Sequence, residues 1–477
     1  MASYLERVRG WGRSAQRVRG HIRLHPFDVS SPEGRSSERY RRILLTTLTG
    51  LTTRAVVSVV GLVSVPLTLS YLGSVEYGFW SLLSTAVSWF SLIGLNIGQG
   101  LSNAIAEANG KADKEAARSA FSTATVALSL IAVIGLVVLF GSSPWVDWSR
   151  ILLGHSPELP PKLIQASVLT TLTLFLLSLP ATVPSTVLGA LQQQYWMNVV
   201  TLVLSVANLP LLLIAIHYRV SIPVLLVIFG GTNILSAVVS YFHLTRRAEP
   251  WLRLSMRSCT WASFRRLVQT SLPVTLFQIA ALLVNESQQL ILARKANLST
   301  VANYAILMRI ALVVSTFISL GTTAFLPAFR EAQERGDRAW LKRAFRRMVG
   351  ARIAIAGTAG CAMVLLGNHL VRVWLHRSDI RFEVTIWVLL AVGLCAATWV
   401  NAFTDYMSAL DDIWRQVLLG FISGVVSISL SLWLTPQHGI LGALVATYFV
   451  AIVFWSWIIP LMVKNRQTAP ATSVEHV

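Results

Sequence analysis

Two stretches decide the fold: GLSNAIAEANGKADKEAARSAF, Gly100 to Phe121, and FLPAFREAQERGDRAWLKRAF, Phe325 to Phe345. Aligned without gaps, Glu107 falls on Glu331, Ala108 on Ala332, Lys111 on Arg335 and Asp113 on Asp337. Arg118 then falls on Lys342, Ala120 on Ala344 and Phe121 on Phe345. Upstream, Tyr77 meets Tyr304 after a shift of three positions. The first copy runs as a whole from Val75 to Phe121 and the second from about Thr300 to Phe345. Each reads as an apolar helix, a charged loop and another apolar helix. A second echo has a similar offset: GALQQQYW, Gly189 to Trp196, resembles SALDDIWR, Ser408 to Arg415. One half of the chain therefore recurs about 220 residues downstream, an internal duplication of the kind that builds transporters with a site between two halves.

Composition sets the solvent. Hydrophobic residues make up 54% and charged residues 13% of the chain, against about 25% charged in a soluble domain. Apolar runs of about 20 residues recur throughout, long enough to cross about 30 Å of hydrocarbon and too unalternating for barrel strands. Twelve spans emerge, near 43–71, 77–104, 117–141, 164–190, 195–216 and 222–244, then 267–293, 301–328, 350–373, 384–409, 415–434 and 439–463. The organisation follows: a basic N-terminal segment 1–42, a first lobe 43–245, a loop 246–266, a second lobe 267–463 and a tail 464–477.

The net charge of +19 fits nucleic acid less well than topology, because the cations sit in loops of one parity. Loops on one side carry 30 Lys and Arg and those on the other carry eight. The positive-inside rule makes the richer side, and both termini, cytoplasmic. Six spans per half give both halves the same orientation. In the N-terminal segment, Tyr4, Val8, Trp11, Ala15, Val18 and Ile22 recur at helical spacing among arginines, which predicts a basic amphipathic helix on an anionic leaflet or, in the plainer reading, a topology-setting tail. Trp80, Trp145, Trp148, Trp374 and Trp433 fall near span ends, as interfacial anchors do.

No nucleotide-binding, zinc-protease or serine-hydrolase motif occurs, and Cys259, Cys361 and Cys395 have no metal-ligand spacing. No enzyme, cofactor or metal centre is therefore expected. What stands out are ionisable groups inside spans, which are costly in lipid and face a bundle interior or a hydrated cavity. Arg54 lies about eleven residues into the first span, roughly 16 Å deep. Arg309 lies in the eighth span, as a substrate contact or as a partner of Glu286. Glu286 sits in the polar run NESQQ of the seventh span, Asn285 to Gln289, and Asp405 near the end of the tenth; these two are the candidates for ion coupling. Asn96, Gln99 and Asn401 offer hydrogen bonds to sugars or between helices. Gly420 and Gly424 form GxxxG, a helix-packing motif.

The stretch RAVVSVVGLVSVPLTLSYLGSVEYGFWSLLSTAVSWFSLIGLNIGQGLSNAIAEANGKAD, Arg54 to Asp113, resembles the N-terminal region of Wzx-type polysaccharide flippases. These belong to the multidrug/oligosaccharidyl-lipid/polysaccharide exporter superfamily. The matching features are Pro66, the turn Leu72, Gly73, Tyr77, Gly78, Trp80, and the polar glycine-rich segment Gly94 to Gly100. The resemblance implies an all-α polytopic, MATE-like membrane protein of about twelve helices in two pseudo-symmetric lobes. It also implies that a polyprenyl-diphosphate-linked oligosaccharide crosses the bacterial inner membrane by alternating access, for surface or exopolysaccharide synthesis. In that reading Arg54 and Arg309 meet the diphosphate, Asn96 and Gln99 meet hydroxyls, and Glu286 and Asp405 couple H+ or Na+. The polysaccharide polymerase is the implied partner, with the lipid-linked glycan and the bilayer. MATE-type exporters of organic cations are the rival within the superfamily. A membrane-embedded glycan-synthesis enzyme is a third reading, and the short outer loop near 142–163 speaks against it.

The charge asymmetry generates a topology test. Reporter fusions after Gln192, Arg257 and Arg335 should read cytoplasmic, and fusions near Ser156 and Arg377 periplasmic; an outside signal at Arg257 would break the two-half layout.

Overall fold

The computed structural model describes residues 32–154, 158–320, 329, 337–408 and 413–458. The expected amphipathic N-terminal helix, most of the second repeat's charged loop and the C-terminal tail lie outside the described residues. Among those described, every regular element is helical.

The first helix, α1, runs Pro32–Gly110, 79 residues. Straight, it would reach about 119 Å, roughly four times the hydrocarbon thickness. It breaks at Gly73, whose backbone turns to φ 75° and ψ 176°, a region that excludes residues with a Cβ. Two arms result, and they lie back on each other's course. Arg42, at the start of the first arm, donates to the Leu191 carbonyl; Gly100, near the end of the second, donates its N–H to Ser271. Both contacts lie at the end of the bundle that carries the basic loops, here termed the basic end.

The first half continues with α2 (Lys114–Ser142), a short α3 (Trp148–Leu153), α4 (Pro161–Ala190), α5 (Gln194–His217) and α6 (Ile222–His243). After a linker come α7 (Trp261–Asn285), α8 (Ser287–Lys295), α9 (Leu298–Leu320), α10 (Arg338–Leu375), α11 (Val384–Ser408), α12 (Ile413–His438) and α13 (Ile440–Val450). Eleven segments are long and apolar enough to cross a membrane. The first of them, Arg41–Thr85, contains the Gly73 break; counting the second arm as its own pass gives the twelve read from the sequence. The chain is a multi-pass membrane protein.

The duplication is a duplication of roles. Asp113 caps α2, its Oδ1 accepting the N–H groups of Glu115 and Ala116. Its counterpart Asp337 caps α10, accepting the N–H of Trp340. Each cap satisfies orphan donors at a helix start. Phe121 and Phe345, equally spaced from their caps, are both buried. Tyr77 and Tyr304 are both buried in one core cluster.

That cluster crosses between the halves. It joins Leu69, Phe79 and Leu83 of α1 to Leu298 and Leu307 of α9 and Trp387 of α11. Lipid tails are as apolar as leucine, so close packing rather than water exclusion drives helix association here. Three glycines of α1 supply the closeness. A Cβ on Gly78 would overlap the Leu298 carbonyl, one on Gly100 the Leu267 carbonyl, and one on Gly61 the Arg309 guanidinium. The GxxxG of α12 works the same way, Gly420 resting on Ala280 and Gly424 on Leu283 of α7.

Polar contacts finish the seam. Ser81 donates to Gln289 at 2.8 Å, and Trp374 of α10 donates to the Leu62 carbonyl at 2.8 Å. Trp374 is thus a bond between the halves rather than the interfacial anchor expected of it. At the basic end, Arg266 meets Glu107 at 2.7 Å. The hydrogen bond from Lys111, with the charge of Arg266, holds the Glu107 carboxyl below its usual range. This exposed pair is a modest contribution that persists above the ordinary carboxylate pKa and fades as the pH falls through the lowered value.

The glycine seam is testable. Gly78→Val drives a branched side chain into backbone and is expected to lower stability by about 1–3 kcal/mol or more, read as a lower melting temperature of the detergent-solubilised protein. Gly357→Ala, with nothing within 4 Å of its Cβ position, should leave melting unchanged; equal melting of Gly78→Val and the parent would refute the seam.

Candidate functional site

The first arm of α1 presents three faces. Arg42, Thr46 and Thr53 face α5: the Thr53 hydroxyl donates to the Asn198 carbonyl at 2.9 Å, and Asn198 returns its amide to Thr46. Val59 and Val63 lie on an exposed apolar face. The third face carries Ile43, Thr47, Arg54, Gly61 and Val65, spaced at four and seven residues, so these positions line up along the arm. Gly61 and Val65 are buried, whereas Ile43, Thr47 and Arg54 are exposed. The same stripe is covered by Arg309 of α9 in its outer part and uncovered toward the basic end. On α9, Leu312, one turn beyond Arg309 toward that end, is also exposed. The two helices therefore touch at Gly61 and Arg309, and toward the basic end both Arg54 and Leu312 are exposed.

Arg54 forms no hydrogen bond or ion pair with any described residue. Seven residues separate it from Gly61, about 10.5 Å along the axis, so Arg54 and Arg309 stand as two cations on one line. Arg309 is half-buried, and its Nε has no partner among the described residues. The expected alternative, a salt bridge from Arg309 to Glu286, is not formed; the guanidinium instead fills the space that Gly61 leaves open.

Glu286 lies at the break between α7 and α8, with φ −98° and ψ −16°, beside the Thr85 hydroxyl of the second arm. Its neighbours are structural glue: Gln288 is fully buried, accepting from Ser431 at 2.6 Å and donating to Ser427 at 3.1 Å. Asp405 is paired, its carboxylate 3.0 Å from Nη2 of Arg352, whose side chain is 7% exposed. Gln99 is exposed and donates to Asn103 at 3.4 Å. The Asn96 side chain lies outside the described residues. Asn401 lines a cavity of about 180 Å³ in the second half, beside Asn285. Among the described residues no group of His, Cys, Asp and Glu is placed to hold a metal.

The sequence reading passed over one feature. A cavity of about 460 Å³ lies between the second arm of α1, α4, α5 and α6. Trp80, expected at the membrane interface, is in its wall with Phe229, ring centroids 5.5 Å apart. The available signal was the spacing of Thr171, Ser178, Thr182 and Ser185, one polar stripe on an otherwise apolar helix.

The fold is a two-half helical membrane bundle of MATE type. An inward-facing MATE-family multidrug resistance transporter of the MOP superfamily superposes with a TM-score of 0.68 at 16% identity, covering 89% of this chain and 96% of the other. The lipid II flippase MurJ, in an inward closed conformation, gives 0.70 at 12% identity, covering 90% and 88%. Residues 44–333, more than half of the chain, match the model of the family described as "Polysaccharide biosynthesis protein", and the chain belongs to that family. Relatives named "Putative O-antigen transporter" occur in Salmonella typhimurium (strain LT2), 23% identical over 431 residues covering 87% of this chain and 95% of the relative, and in Salmonella typhi, 22% identical over 443 residues covering 90% and 98%.

The geometry separates Arg54 from Asp405. Removing one member of a half-buried ion pair strands the other. Asp405→Ala is therefore expected to reduce the melting temperature, and Arg352→Met with Asp405→Leu to restore it; a double variant as unstable as the single one would argue against a structural pair.

Proposed function

We propose that the protein is a flippase. It carries a polyprenyl-diphosphate-linked oligosaccharide across the bacterial inner membrane, by alternating access, for surface or exopolysaccharide synthesis. The single observation that carries this reading is Arg54, an exposed guanidinium deep in a span with no hydrogen bond or ion pair to a described residue; in this reading it lines a cleft between the halves that opens toward the basic end. A lone cation against lipid is expensive. The same cation meeting a diphosphate forms charge-assisted hydrogen bonds in a site of low dielectric. Membership of the polysaccharide biosynthesis family and the relatives named for O-antigen transport support a glycan as cargo.

In this reading the basic end faces the cytoplasm, with both termini, and the cleft receives the headgroup from that side. The sugar and diphosphate travel between the halves while the polyprenyl tail stays in the bilayer, which avoids burying a polar headgroup in hydrocarbon. Arg309 receives the diphosphate further along the stripe. Gln99 and Asn96, on the second arm, serve sugar hydroxyls. Glu286, half-buried at a helix break, is the group placed to bind a proton or Na+ that drives the cycle; Asp405, held by Arg352, is less free to do so. The polymerase that consumes the flipped unit is the partner. The rival, a MATE-like exporter of small organic cations coupled to an ion, draws on Glu286 alone.

The test is glycan at the cell surface, with protein level checked by blotting. Each lost charge-assisted hydrogen bond is worth about 1.5–3 kcal/mol, so Arg54→Ala should lower export by about tenfold or more at normal protein level. Arg54→Lys should retain part of it, since charge survives while the forked geometry is lost. Full export by well-expressed Arg54→Ala would sink the mechanism.

A further inference from the structure

We propose that the cavity inside the first half is a binding site for an uncharged sugar ring of the cargo. The proposal rests on the flippase reading and adds a place where the glycan, rather than the diphosphate, is held.

The cavity's size, about 460 Å³, falls in the range of about 300–1,000 Å³ typical of ligand sites. No charged side chain lines it among the described residues. An anionic group would find no cation there and an organic cation no carboxylate. The polar groups that are present have a particular character. Ser178, Thr182 and Ser185 donate their protons to the carbonyls of Phe175, Leu179 and Thr182, at 2.6, 2.7 and 2.7 Å. Their oxygens keep free lone pairs. The wall is therefore an array of acceptors, which suits a ligand dense in hydroxyl donors. Asn233 of α6 adds an exposed amide with no hydrogen bond to a described residue, able both to donate and to accept.

The opposite wall is aromatic. Trp80 and Phe229 stand tilted at 53° with centroids 5.5 Å apart. An aromatic face beside a few convergent polar groups fits a pyranose, whose axial C–H bonds make one apolar face while its rim carries hydroxyls. A polyprenyl chain would leave the acceptor array unanswered. The cavity of the second half, at about 180 Å³, is smaller, so the site belongs to one half in spite of the duplication.

The experiment is thiol labelling in membranes, in a chain whose Cys259, Cys361 and Cys395 are replaced by Ser. Ser178→Cys reports on the cavity. Ser58→Cys, one turn from Arg54 on the same face, reports on the cleft. Each is treated with a small water-soluble thiol reagent in two hosts: one that accumulates lipid-linked glycan because polymerisation is blocked, and one that makes the lipid carrier but no glycan. Labelling of Ser178→Cys should be about tenfold slower where glycan accumulates, as for a site mostly occupied, and Asn233→Leu should abolish that protection. Equal labelling of Ser178→Cys in both hosts, with Ser58→Cys protected, would overturn the sugar site and leave the flippase reading standing. Absence of protection at both positions would overturn both. A folded Ser178→Cys protein that reacts in neither host would show the cavity closed to water, and would also overturn the proposal.

Discussion

The structure depends on how closely α1 approaches the second half. In water, two helices are driven together by hiding apolar surface. In a bilayer that force is missing, and what remains is dispersion and a few hydrogen bonds, both steep functions of distance. Gly78 and Gly100 let the second arm lie on the backbones of α9 and α7, at opposite ends of the bundle. Gly61 does the same for the first arm, but its partner is a guanidinium. The second arm thus joins the halves at both ends of its length, and the first arm joins them at Gly61.

That arrangement bears on the charges within the bundle. Arg352 and Asp405 pair at 3.0 Å through Nη2, while Nε and Nη1 of Arg352 have no partner among the described residues. Glu38 and Arg41 pair likewise where α1 begins, 2.7 Å apart. Arg309 has a shape partner in Gly61 but no charge partner among the described residues. Arg54 has neither among them. In the proposed mechanism, a cation at that depth is met by water or an anion for part of the cycle, reached along the exposed stripe of α1.

Much of this was legible in the sequence, for reasons tied to particular residues. Span number followed from apolar length. The repeat was readable because Asp113 and Asp337 must cap helices of equal register, and because Phe121 and Phe345 fill equivalent core positions. GxxxG at Gly420 was readable because small residues at that spacing have one common use. Three things were not. Glu286 and Arg309 lie on neighbouring spans, and sequence cannot say whether two side chains on adjacent helices turn toward each other. Trp374 and Trp80 sit near span ends, where composition favours anchors, yet rotation about the helix axis points one at the Leu62 carbonyl and the other into a cavity. The cavity itself is a property of four helices at once, and a stripe of Ser and Thr on α4 reads equally well as groups bonded back to their own helix.

On the proposal made above, the hydroxyls of α4 do both. Bonding back to the helix spends the proton and leaves the lone pairs, so a residue that looks satisfied in the backbone ledger still offers an acceptor to a cargo. This divides the work of recognition between two regions of different dielectric character. In the proposed mechanism, cations stand in the cleft, where a diphosphate is met by charge because its desolvation is otherwise prohibitive. Neutral acceptors and an aromatic wall stand in the first half, where a sugar can be met without charge and released without breaking an ion pair. A carrier has to let go of what it binds. On the proposed division, placing the weaker, exchangeable contacts on the larger part of the headgroup keeps total affinity within reach of reversal, while the two arginines set the requirement for an anion.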